Sequence, residues 1–144
     1  MTNEPEWLLE AAVRAIHRML IAEHGGAEGV RDAGLLASAL ARPKHLLAYA
    51  DPPPSLFALA ASYAYGLARN HCFVDGNKRI ALAASLTFLS LHGYRLAASK
   101  LETYSMTVGL AEGTVDEASF AAWLEAHCQS VESTKPMSEF SRGE

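Results

Sequence analysis

The chain has 144 residues, half of them hydrophobic and 19% charged, with a formal net charge of −4. That suffices for one domain with a sizeable core. It excludes a general nucleic-acid binder, because no overall positive field draws in phosphates. Gly, His and charged residues interrupt every apolar run before bilayer length, and "MTNEPEWLLE" lacks the basic start and apolar stretch of a signal peptide. Neither a membrane nor a nucleic acid is expected as a partner, and the cytoplasm is the expected location. The two cysteines, Cys72 and Cys128, form no CxxC pair and read as free small hydrophobes. The six histidines show no HExxH or i,i+4 ligand spacing.

In chain order, Pro5 suits a first helical turn, and Trp7, Leu8, Ala11, Ala15, Ile16, Met19 and Leu20 form an apolar stripe behind it. "HGGAEG" ends that helix. Asp32 reads as the N-cap of "AGLLASALAR", which Pro43 is expected to stop, with Arg31 a surface charge beside the cap. "KHLLAYADPPP" has no clear period and three prolines, so residues 44–54 read as a loop or flap. Ser55 caps an Ala-rich helix ending near Asn70. A second apolar helix starts near Asn77 and runs to Gly93, a suitable C′ residue. "YRL" reads as a short extended piece. Ser99 and Asp116 cap two further helices, and Tyr63, Tyr65 and Trp123 have the spacing of core residues. The fold class is all-α, one helical domain over 1–131, with 132–144 expected to be a disordered tail.

Between the two central helices lies "RNHCFVDGNKR", where polar chemistry is crowded into one turn. His71 stands at the end of one helix, and Asn77 begins the next, whose unsatisfied N–H groups and dipole favour an anion. Gly76 lets the backbone approach a ligand. Loop, glycine and helix N-terminus make a phosphate site. Lys78 and Arg79 oppose the dipole of their own helix, a penalty that a bound polyphosphate would reverse. Asp75 either holds Mg²⁺ against the phosphates or caps the helix. Phe73 reads as an inward anchor. An imidazole titrates near neutral pH, so His71 can take a proton from an incoming hydroxyl. A plain capped junction would explain Asp75 and Gly76, but not two cations at a helix start.

"HCFVDGNKR" resembles the Fic/Doc motif, His-x-Phe-x-Asp/Asn/Glu-Gly/Ala-Asn-Gly/Lys-Arg, at His71, Phe73, Asp75, Gly76, Asn77, Lys78 and Arg79. "RDAGLLASALARP" and "LARNH" are similar to the Doc (death-on-curing) branch. The resemblance implies a helical fold, ATP as substrate, and a base at His71. It further implies Mg²⁺ at Asp75, an anion hole at Gly76 and Asn77, and a phosphate grip at Arg79. AMP-transferring members have Gly where Lys78 stands, and many carry a second arginine where this chain has Leu82. Both departures point to Doc, whose members transfer the γ-phosphoryl group to translation elongation factor Tu. Lys78 would compete for the α-phosphate position and so reorient the nucleotide. Gly76 is equally the AMP-transferring choice, which keeps a nucleotidyl transferase open; a catalytically silent binding module is the other alternative. The sequence shows no inhibitory Ser/Thr-x-x-x-Glu-Gly/Asn helix, since Thr107 and Glu112 are five apart. A separate small antitoxin, Phd-like, is therefore implied.

Overall fold

In a computed structural model describing residues 4–131, the chain folds as six helices and two short strands. They are α1 (Glu10–His24), α2 (Ala33–Tyr49), α3 (Leu56–Asn70), α4 (Asn77–Leu91), β1 (Tyr94–Leu96), α5 (Lys100–Glu112), α6 (Glu117–His127) and β2 (Cys128–Ser130). The segment 132–144, expected as a tail, lies outside the described residues. No helix among the described residues is long and apolar enough to cross a membrane.

The helix starts are set by local chemistry. Asp32, Ser55, Ser99 and Asp116 each accept a hydrogen bond from the backbone N–H three residues on, at 2.7–3.0 Å. α3 is the central rod. Nine of its fifteen residues are buried, and it packs chiefly on α4, α2 and α6. α1 lies against α4, and α5 bridges α3 and α4. Tyr63 and Trp123 are core residues as expected. Tyr65 is half-buried under two guanidinium groups, with Arg42 at 4.7 Å and Arg69 at 5.6 Å from its ring centre.

Two expectations need correction. α2 does not stop at Pro43 but continues through it to Tyr49, so only residues 50–55 remain as connection. The proline cannot donate to the Ala39 carbonyl. Pro43 is itself buried, however, and Leu46 and Leu47 pack on the core, so burial outweighs one lost bond. Second, Pro5, Trp7 and Leu8 precede α1 in an irregular segment. The Tyr63 hydroxyl accepts from the Leu8 N–H at 3.0 Å, His92 Nε2 accepts from the Glu6 N–H at 3.0 Å, and Trp7 stacks on Phe88. "YRL" is extended as expected and acquires a partner: β1 pairs antiparallel with β2, Tyr94 opposite Ser130 and Leu96 opposite Cys128.

α2 and α3 approach closely at Gly66, where an added Cβ would stand 3.1 Å from both Cα and Cβ of Ala39. Gly66→Val is expected to destabilise the fold by about 1–3 kcal/mol, because two helix backbones would have to separate. Chemical denaturation measures this; an unchanged midpoint would mean that α2 yields freely.

Candidate active site

The start of α4 is built differently from its neighbours. Its N-cap is Gly76 in the left-handed region (φ 76°, ψ 23°), with no side-chain cap. The first backbone bond into the helix is Ile80 N–H to Gly76 O at 3.0 Å. The N–H groups of Asn77, Lys78 and Arg79 therefore have no partner among the described residues. Gly76 is demanded by its positive φ; a Cβ there would also lie 3.2 Å from Ile21 Cδ1, a tight contact that this side-chain tip would have to yield.

These groups open on a cleft of about 420 Å³, a size suited to a small ligand. One wall is Asp75 to Arg79 with Leu82; the other is Tyr104, Thr107 and Val108 of α5. Lys78 and Arg79 are exposed and form no ion pair among the described residues. Two free cations and three free N–H groups at one helix start make an anion cradle.

Asp75 is the one carboxylate lining this cleft. Its Oδ2 accepts from the Ala27 N–H at 3.2 Å and its Oδ1 from the Gly76 N–H at 2.8 Å. Those two bonds, helped by the positive charge of Arg79, hold its carboxyl below the usual aspartate range. Its oxygens keep lone pairs for a cation. It does not cap α4 in the ordinary sense, since its bonds go to the N-cap N–H and to a distant loop. Among the described residues no three His, Cys, Asp or Glu side chains cluster as a metal site. A cation at Asp75 would thus draw its other ligands from phosphate and water, the coordination Mg²⁺ favours.

His71 ends α3 in a left-handed conformation (φ 52°, ψ 52°) and is exposed. It does not line the cleft; it stands four residues ahead of Asp75, facing solvent. Asn77 ties the loop through its side chain. Its side chain brackets one peptide unit's worth of loop, Oδ1 accepting from Phe73 N–H and Nδ2 donating to Phe73 O, both at 3.0 Å. What Asn77 offers an anion is its backbone N–H. Phe73 is the inward anchor, 2% exposed.

Two supporting residues escape the sequence reading. His17 of α1 is buried, stacks on Phe73 with ring centres 3.9 Å apart, and lies 2.7 Å from the Asp75 carbonyl through Nε2. The signal was its place on a buried stripe with Val13 and Ile21. Arg31 reaches the end of α3, donating from Nε to the His71 carbonyl at 2.7 Å and from Nη2 to the Asn70 carbonyl at 3.2 Å. Its segment runs antiparallel to the motif, with Val30 bridged to Phe73 and the Val74 N–H donating to Gly29 O.

Comparison with known proteins shows the family. The Fic/DOC family profile matches residues 7–89, more than half of the chain. The chain belongs to the Fic/DOC family. Within that family it is 51% identical over 74 residues to a protein of Mycolicibacterium smegmatis named Toxin Doc, covering 51% of this chain and 57% of that relative. It is 36% identical over 110 residues to the protein kinase Doc of Escherichia phage P1, covering 76% of this chain and 86% of that one. The aligned stretch thus spans less than two thirds of the mycobacterial relative. The Fic/DOC match takes in His71 to Arg79 and both supporting residues, His17 and Arg31, whereas the α5 wall of the cleft lies beyond it.

Proposed function

We propose that this chain is a Doc-type toxin that transfers the γ-phosphoryl group of ATP to a hydroxyl of a protein. The observation that carries this reading is the uncapped start of α4, with free N–H groups, Lys78 and Arg79 beside one ionised carboxylate. Such a site is complementary to a polyphosphate and a divalent cation together. The names of the two relatives, a toxin and a protein kinase, support the choice of chemistry.

In this reading Arg79 and Lys78 grip the phosphates, and the N–H groups of residues 77–79 hold phosphate oxygens. Asp75 binds Mg²⁺, which when bound neutralises phosphate charge. An unprotonated nitrogen of His71 accepts the proton of the incoming hydroxyl. That oxygen bonds to the γ-phosphorus as the bond to the β–γ bridging oxygen breaks, and ADP leaves. Exposure of His71 suits a macromolecular acceptor that cannot enter the cleft. The resemblance makes translation elongation factor Tu the first acceptor to try, and a small Phd-like antitoxin the neutralising partner.

The test is incubation of the chain with a bacterial lysate or purified elongation factor Tu, using ATP labelled at the α- or the γ-phosphate. Label from the γ position on a protein band is the expected result. Label from the α position alone would replace the kinase by an AMP transferase, the reading that Gly76 keeps open. ATP bound but never consumed would leave a binding module. Expression alone should arrest growth, and co-expression of the antitoxin should restore it.

Arg79→Ala is expected to weaken ATP binding and phosphoryl transfer together, because a phosphate contact supports both ground and transition states. Isothermal calorimetry gives the affinity; an unchanged value would mean that Arg79 does not touch the nucleotide.

A further inference from the structure

His71 is the single non-glycine residue with positive φ among the described residues. A left-handed backbone is unfavourable for a residue with a Cβ, and it persists only where the surroundings fix it. Here the helix itself supplies little. The C-caps of the other five helices return a backbone N–H to a carbonyl of the last turn, whereas the His71 N–H makes no such bond. The orphan carbonyls at the end of α3 are served from outside. Arg31 forks onto two successive carbonyls, those of Asn70 and His71. Its cation also sits where the helix dipole is negative. The same residue is fixed through its backbone, since the N–H groups of Arg31 and Asp32 both donate to Cys72 O, at 2.7 and 3.1 Å. Asp32 in turn caps α2, and Asn70 Nδ2 donates to Leu35 O of that helix at 3.2 Å.

We propose that Arg31 is a positioning residue for His71: its guanidinium is the C-cap of α3 and holds the left-handed turn that presents the imidazole to the acceptor hydroxyl. The inference rests on the reading of His71 as general base. It assigns Arg31 no contact with nucleotide, so its effect belongs in turnover and not in ATP affinity. A planar fork spans two carbonyls in a way that an ammonium group does not, so lysine at this position keeps the charge and loses part of the geometry.

The test uses the full chain with Arg31→Ala and Arg31→Lys, three measurements being made on each. Backbone NMR of His71 and Asn70 reads the turn, calorimetry reads ATP affinity, and steady-state kinetics with γ-labelled ATP separates kcat from KM. For Arg31→Ala the expected result is shifted His71 and Asn70 resonances, ATP affinity within twofold of wild type, and kcat lowered about tenfold or more, since a misplaced base loses rate steeply. Arg31→Lys should fall between the two. Unmoved His71 resonances, an undiminished kcat, or a loss confined to ATP affinity would each overturn the proposal. Should the alanine variant not fold, the lysine variant decides: wild-type kcat there overturns it. A wild-type chain that transfers no phosphate refutes the kinase reading instead, while the NMR comparison still judges whether Arg31 holds the turn.

Discussion

Replacing His71 with alanine is expected to lower phosphoryl transfer by about 10²–10⁴-fold, the usual contribution of a positioned general base. The fold should survive. The His71 side chain is exposed and donates and accepts no hydrogen bond among the described residues; only its carbonyl is engaged, by Arg31. Truncation at Cβ therefore empties no buried site. A small loss of stability is expected from the backbone, because alanine is less at ease than histidine at φ 52°. His71→Asn is the control, since asparagine tolerates that conformation and lacks the base. Both variants should lose toxicity and γ-label transfer while melting near wild type. A variant that stays fully toxic, or that loses activity only because it unfolds, would remove His71 from the chemistry.

Phe73→Ala should produce the largest change in stability. The ring is 2% exposed and stacks on buried His17 at 3.9 Å, with planes 15° apart. Emptying such a site typically costs about 3–5 kcal/mol, a large share of the roughly 5–15 kcal/mol that holds a domain together. Function should fall with it. The loop between Phe73 and Asn77 is tied by backbone bonds to the Asn77 side chain, and the Phe73 ring fixes it against α1 by stacking on His17, which also reaches the Asp75 carbonyl. Without that anchor the free N–H groups at the start of α4 lose their fixed direction. Urea unfolding gives the stability, and ATP calorimetry the site. Phe73→Leu, which refills most of the volume, should recover much of both. A loss below about 1 kcal/mol for the alanine variant would contradict the anchor role.

The anion cradle was legible because its signals are local. A glycine, a helix start and two cations out of place on the helix dipole fall within four residues, Gly76 to Arg79. The role of the Asn77 side chain was not legible, because its partners are backbone atoms of Phe73 and a motif does not show how its loop is tied. The α5 wall, Tyr104 with Thr107 and Val108, carried no signal at all: a helix face reads the same in sequence whether or not a cleft lies beside it.

By itself the sequence determined where most helices begin, through Asp32, Ser55, Ser99 and Asp116, and which turn gathers a glycine and two cations at a helix start. Caps and dipoles act over one helical turn, so a reader of neighbours can find them. The tertiary structure alone decided that α2 runs through Pro43, that Trp7 and Leu8 lie on the core ahead of α1 instead of joining it, and that Tyr94–Leu96 has a strand to pair with. It alone brought His17 to Asp75 across 58 positions and Arg31 to His71 across 40. Each of these outcomes depends on burial or hydrogen bonding between residues far apart in the chain, and such contacts exceed a local propensity of a few tenths of a kcal/mol for most residues and offset the roughly 3 kcal/mol of a mid-helix proline.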